Sequence, residues 1–374
     1  MRILFYLPVV TPWWFKTIVL PLIEKLESQH EVHVLTPAPW KGTGLDAEDF
    51  AHCAHLPKIR WHIVNDVNHP SLRTDPVERE AIIAFVHSLE PDFVLCRSAD
   101  LATTKAFPGV VKHITEAAVD PLALSKDAVH FTEQPFDHGL VPDLNADAIA
   151  DLHTLIAPFW PSFSRVSQLD QAQQQHFDDW ADLPKDRKVL LLPLEYEHEE
   201  NFFIIHRVGD TPNAQYLAGV LEQLDDRFFL AVTNHPLNEL HVDNSALEKC
   251  ARAHSSRMRL YGSENPIDAR TTQHLLRQAD GVLLGDSKCF SMAGFLSTPI
   301  YRQSRFETGE WLNAYDDLEL FLEAVAQGDP AKPDSTGLIT WLAFHAANNL
   351  LDPNDPKLTA ADLLDRLENP VNPD

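Results

Sequence analysis

The sequence predicts an α/β protein of two Rossmann-like domains that face a cleft, with C-terminal helices that pack back on the first domain. Three observations predict this: a strand-helix-strand opening, a second alternation of strands and helices that begins near residue 188, and a polar, Gln-rich helical stretch between the two. The length agrees, since 374 residues at ~150 per domain is two or three domains.

Arg2 to Leu7 reads as a buried strand, and Glu31 to Thr36 as the next. Between them, Trp13 to Glu27 reads as a helix, with Ile18, Leu22 and Leu26 at fourfold spacing. A helix near residues 77 to 89 and strands at Asp92 to Cys96 and Val110 to Thr115 continue the pattern, so the first half is a parallel sheet wrapped by helices. The loop Pro8 to Trp14 then lies at the strand edge where such sheets bind ligands. From Asp147 to Asp182 the chain turns polar, with helical stretches broken at Pro158 and Pro161, and KDRKVLLLPLEY starts a fresh strand. After a boundary near residue 185, strands at 188–194, 228–234, 257–261, 280–285 and 299–302 alternate with helices at 212–224, 245–254, 269–278 and 288–297. One further helix carries Leu318, Phe321, Leu322 and Val325 on one face, with Asp316 or Asp317 as its cap and Gly328 as its stop. Helices at 338–351 and 359–367 and a frayed tail complete the chain. The resulting division is residues 1–185, 186–330 and 331–374.

Thirty basic against 55 acidic residues give a net charge of −25, which repels phosphate polymers and excludes a nucleic-acid partner. Cysteines at 53, 96, 250 and 289 stand too far apart for a CxxC pair and are too few for a disulfide framework, so a cytoplasmic protein is expected. The apolar opening carries Lys16 and three prolines and reads as strand, loop and helix rather than as a leader. No glycine cradle of the GxGxxG or GxxxxGK[ST] type, no HExxH and no GxSxG occurs, which sets aside NAD enzymes, P-loop ATPases, zincins and serine hydrolases of the α/β class. No Asp-x-Asp triplet occurs, so no metal and no other cofactor is expected.

Four places can carry chemistry. His235-Pro236 follows the strand FFLAVTN, where an imidazole points into the ligand crevice and can donate to a leaving phosphate; an ordinary turn histidine is the plainer reading. Ser287 and Lys288, between GVLLG and a helix, offer a hydroxyl, backbone N–H groups and a positive charge to an anion, or else a plain helix cap. Glu195, Glu197, Glu199 and Glu200 crowd one strand end with His198, so mutual repulsion raises some of their pKa values toward the range of an acid or base; a solvated charge run is the alternative. Glu116 ends a first-half strand, where a carboxylate can take the proton of an acceptor hydroxyl or else cap a loop, and Arg97 is placed to pair with an anionic sugar or else to form an ion pair within its own domain. Trp13 and Trp14 stack on a sugar, touch a membrane interface, or pack the first helix.

The plan of two such halves is that of GT-B glycosyltransferases, and the second half resembles the bacterial capsule polysaccharide biosynthesis family, which includes CMP-Kdo-dependent β-Kdo transferases. The family's strand followed by P-L-Q-x-x-x-D resembles Pro193 to Glu199. Its strand followed by H-P resembles His235-Pro236, and its S-T-x-G-x-E-A-L-x-x-G-K-P resembles Ser287 to Pro299. The resemblance covers about residues 110 to 325 and implies His235 and Ser287 on the CMP phosphate, Glu199 as nucleophile or ion stabiliser, and Glu116 as acid/base. This chain departs from the pattern at Glu195 (Gln in the family), Glu199 (Asp) and Met292 (Glu), which leaves Glu197 and Glu200 as substitutes for Glu199. The implied activity is metal-free transfer of Kdo or a related ulosonic acid from a CMP-linked donor to a surface-polysaccharide or lipid-linked acceptor, at the inner face of the membrane or free of it. A teichoic-acid-type CDP-alcohol phosphotransferase and a non-catalytic glycan-binding relative are the rival readings.

Overall fold

The computed structural model describes residues 1–40, 43–65, 71–116, 127–136, 138–166, 169–197, 207–208, 211–348 and 350–368, with the side chains of 164–166 set aside. It contains two sheets. The first holds seven strands: β1 (Arg2–Tyr6), β2 (Glu31–Pro37), β3 (Arg60–Val64), β4 (Phe93–Cys96), β5 (Val110–Glu116), β6 (Val129–Thr132) and β12 (Leu350–Leu351). Five of them, in the order β3-β2-β1-β4-β5, are parallel; β6 and then β12 extend the edge antiparallel. The second sheet is wholly parallel, in the order β9-β8-β7-β10-β11: β7 (Lys188–Pro193), β8 (Phe228–Thr233), β9 (Met258–Tyr261), β10 (Gly281–Leu284) and β11 (Ile300–Arg302). Each parallel set has the doubly wound order in which the chain works outward from a central strand and then reverses. Residues of both domains line one cleft.

Parallel strands covered on both faces read as continuous apolar runs, and FFLAVT of β8 is buried at every position. The sequence reading misses β3 because its pattern is mostly exposed or half-buried, and β6 because VHFT interleaves His130 and Thr132 with its apolar residues and forms no apolar run. The helix expected over Trp13 to Glu27 is present in three pieces, Pro12–Trp14, a π turn Phe15–Val19 and Leu20–Leu26. Pro21 lacks the N–H that would bond Thr17, and the Thr17 carbonyl instead accepts from Asn354 Nδ2 at 3.1 Å. The helix Leu318–Gln327 forms as expected, with Asp317 accepting the Leu320 N–H at 3.0 Å and Gly328 in the left-handed region at φ 79°.

The helices of the polar stretch, Ala146–Ile156, Trp160–Val166 and Gln171–Ala181, give Ile156, Phe163 and Phe177 to the core beneath β7 and β10. Helix Ser335–Asn348 joins that core through Leu338, Trp341 and Leu342. The stretch expected as a helix to residue 351 stops at Asn348, and β12 pairs with β6 on the first sheet. Helix Ala360–Glu368 then buries Ala360, Leu363 and Leu367 in the first core, which is the return expected from the sequence. The four cysteines are free. Among the described residues no helix is long and apolar enough to cross a membrane.

Candidate active site in the cleft

Strand order reverses between β1 and β4 in one sheet and between β7 and β10 in the other, and a crevice opens beyond the strand ends at each reversal. Residues of both crevices line a single cavity of about 320 Å³. The first domain lines it with the loop after β1, including Trp13 and Trp14, with Arg97 after β4, and with Glu116 at the end of β5. The second domain adds Tyr196 after β7, His235 after β8 and Lys288 after β10.

Lys288 Nζ donates to Glu116 Oε2 at 2.6 Å, an ion pair that spans the cleft. Glu116 keeps 37% of its side chain accessible from the cavity, while protein closes around it on the other sides. Burial pushes its carboxyl up, but the charges of Lys288 and Arg97, the Lys288 hydrogen bond and the field of His235 outweigh burial and hold it at about 2. It is a carboxylate throughout the physiological range. The Arg97 guanidinium lies over the Trp14 ring at 4.6 Å.

His235 begins the helix Pro236–His241, and its Nδ1 accepts the Leu237 N–H at 3.2 Å. In the neutral ring the proton therefore sits on Nε2. Burial, and after it Lys288, pulls the imidazole below its ordinary value, so the ring is neutral near pH 7. Tyr196 stacks on it at 5.6 Å, and Pro236 fills the first helical position, where no N–H is needed.

The far end of the cavity is aromatic. His130 and His345 stack at 4.5 Å, Trp341 meets both edge-on, and His138 lies flat on Phe290 at 4.2 Å. Burial holds His130 and His138 well below the ordinary histidine range. Among the described lining residues, and leaving the imidazoles aside, Arg97 and Lys288 against Glu116 leave one positive charge in this cavity of a chain at −25. Its chemistry suits an anionic ligand that also presents a ring or an apolar face.

Other candidates lie elsewhere. Glu195 is buried beneath the cavity, where its carboxylate accepts from Arg207 Nη2 at 3.0 Å and from the Asp286 N–H at 2.7 Å. A Cβ on Gly285 would come within 2.5 Å of Glu195 Oε1, so only glycine permits this approach. Glu197 accepts the Asn213 N–H at 2.7 Å and so tethers the start of the helix Asn213–Gln223. Ser287 Oγ accepts the Cys289 N–H at 3.3 Å and is not among the residues that line the cavity, which fits the plain helix-start reading. Glu199 and Glu200 lie outside the described residues.

A second buried pair, Asp286 with Arg302, shapes the loop that presents Lys288. Burial and then Glu195 push the Asp286 carboxyl up to about 6 against the opposing Arg302. Arg302 also donates to the Phe136 carbonyl at 2.7 Å and the Gly285 carbonyl at 3.1 Å, tying the chain after β6 to the β10 loop. Among the described residues no group of three or more His, Cys, Asp or Glu is arranged to hold a metal ion.

Sequence reasoning missed Tyr196 and the aromatic end. Tyr196 stands inside an acidic run that drew attention to its carboxylates. His130 and His138 sit on and after the short β6, and Trp341 and His345, four apart on one helical face, reach the cleft only because the C-terminal helices return.

No protein-family model matches the sequence, and a search of curated proteins returns no match. Solved structures do match over most of the chain. The β-Kdo 2,7 transferase KpsC of Thermosulfurimonas dismutans is 10% identical, over 82% of this chain and 89% of that one, at a TM-score of 0.40. A glycosyltransferase from Rickettsia africae ESF-5 is 11% identical over 91% and 92%, at 0.36. Anabaena HepE, solved with UDP and glucose, is 8% identical over 92% and 93%, at 0.31.

Proposed function

We propose that this chain is a metal-independent GT-B glycosyltransferase that moves Kdo or a related ulosonic acid from a CMP-activated donor to a glycan or glycolipid acceptor. One observation carries the reading: His235 and Lys288 from one domain meet Arg97 and Glu116 from the other around a single cavity, whose described lining residues carry an excess positive charge. In this reading the C–O bond from the sugar to the donor phosphate breaks, and its electron pair goes to the phosphate. His235 Nε2–H and the Lys288 ammonium meet the growing negative charge, and fixed donors so aimed favour the transition state without a metal. Arg97 takes the carboxylate of the acidic sugar. Glu116 takes the acceptor hydroxyl proton as the new C–O bond forms. The one-positive balance of the described lining residues supports an anionic donor, and the absence of an Asp-x-Asp triplet from the sequence supports a metal-free complex.

The test is product analysis with CMP-Kdo and a panel of glycan and lipid-linked acceptors. Release of free CMP together with a new glycosidic bond is the expected result. A phosphodiester product would replace this reading with phosphotransfer, and no thermal stabilisation by CMP, CDP or UDP would replace it with a binding role.

A further inference from the structure

We infer that the donor phosphate and the Glu116 carboxylate compete for Lys288, so that loading the donor is what frees Glu116 to act as a base. This rests on the proposed reading of Lys288 as a phosphate contact, and it adds an order of events to that reading. The geometry is the 2.6 Å contact between the last residue of β5 and the residue that leads the helix Cys289–Leu296, one group from each side of the cleft. A phosphate oxygen and a carboxylate both held at ~3 Å from one ammonium would stand within about 6 Å of each other, close enough for like charges to oppose one another. The incoming anion therefore either displaces the carboxylate or makes it a stronger base.

The groups around Glu116 give this exchange its direction. Lys288 and Arg97 are the cations that hold its proton affinity down, and His235 joins them only when its ring is protonated. Beyond them the cavity presents Tyr196 and the imidazoles of His130, His138 and His345. On its own strand, His113 is engaged by the Glu133 carbonyl at 3.1 Å. When a phosphate engages Lys288, the leading cation is lost to Glu116 while burial, which raises its proton affinity, remains. An acceptor hydroxyl that arrives before the donor meets a carboxylate already engaged by Lys288. One that arrives afterwards meets a stronger base.

The experiment measures CMP affinity by calorimetry on the full chain, for the parent, Glu116→Gln, Lys288→Met and the double variant, with melting curves to establish that each is folded. Both side chains are more than a third exposed, so neither change empties the core. Glu116→Gln is expected to bind CMP about tenfold tighter and Lys288→Met about tenfold weaker. In the Lys288→Met background, Glu116→Gln is expected to change affinity by less than about twofold. Glu116→Asp, whose shorter arm loosens the pair, falls between the parent and Glu116→Gln. An unchanged or weaker affinity in Glu116→Gln overturns the competition, as does an equal gain in both backgrounds, which marks a general field and not a shared partner. If CMP binding depends on Lys288 without any coupling to Glu116, only this inference falls. If no variant binds CMP, the proposed function falls with it.

Discussion

The parallel strands of the two sheets share one order, and the carboxylates at their C-terminal edges find their cations in two different ways. In the second domain, Glu195 and Asp286 are buried and paired inside their own domain, to Arg207 and Arg302. In the first, Glu116 finds its ammonium partner across the cleft, on Lys288. A charge satisfied within its own domain builds the scaffold, because removing its partner strands it in low dielectric. A charge satisfied by the opposite domain can exchange that partner for a ligand. Within the acidic run after β7, the distinction assigns Glu195 to the scaffold.

The largest expected effect tests the scaffold side. Arg302→Ala leaves Asp286 buried without its cation and cuts three links to the β10 loop and the Phe136 segment, so urea unfolding should show a loss of about 3–5 kcal/mol. A loss under about 1 kcal/mol would remove the contrast between the domains. On the site side, His235→Ala should lower glycosyl transfer about 100-fold while costing about 1 kcal/mol of stability for the lost cap. Near-normal turnover by that variant would refute the role given to the imidazole.

Titration sharpens the comparison further. The Glu116 carboxyl falls from an ordinary 4.5 to about 2 on folding, so its contribution to stability is present above pH 4.5 and is lost as the pH drops through about 2. The difference in melting temperature between the parent and Glu116→Gln should therefore stay constant from pH 7 to about 5 and vanish only toward pH 2. Asp286 has the opposite sign. Raised from 3.8 to about 6, its contribution is full below pH 3.8 and disappears as the pH rises through about 6. For His235, whose pKa is lowered by burial and by Lys288, the ring resonance assigned by difference with His235→Ala should titrate below about 6.5. The smallest effect is at the lip of the cavity. Trp13, 59% exposed, should tolerate Ser within about 0.5 kcal/mol, whereas Trp14, 4% exposed beneath Arg97, should lose several times more.

Much of the fold was legible because its strands are unbroken apolar runs and its helices carry their own caps. The strands β1, β2, β4, β5 and β7 to β11 fall where the sequence places them, and Asp317 and Gly328 bound their helix as read. What escaped has a common physical origin. None is an unbroken apolar run: β3 is mostly exposed or half-buried, β6 interleaves His130 and Thr132 with its apolar residues, and β12 is two residues long. The site was legible where a residue directly follows a predicted strand, as Arg97, Glu116 and His235 do, or opens the helix that comes next, as Lys288 does, because the parallel topology itself carries such residues to the cleft. It was illegible at His130, His138, Trp341 and His345, whose meeting depends on an antiparallel edge strand and on a helix more than 200 residues later in the chain. Glu195 misled because a buried carboxylate and a solvated one look the same in sequence until Arg207 is found beside it.

The backbone passes from the first domain to the second after Thr132 and comes back after Asn348, where β12 joins β6 and the last helix seals against the core. A body held to its neighbour by two separate crossings has less freedom to twist than one held by a single tether, and the easiest remaining motion is a swing about the line through both. That swing changes the separation of Lys288 from Glu116, so the width of the gap and the state of the pair across it become one variable.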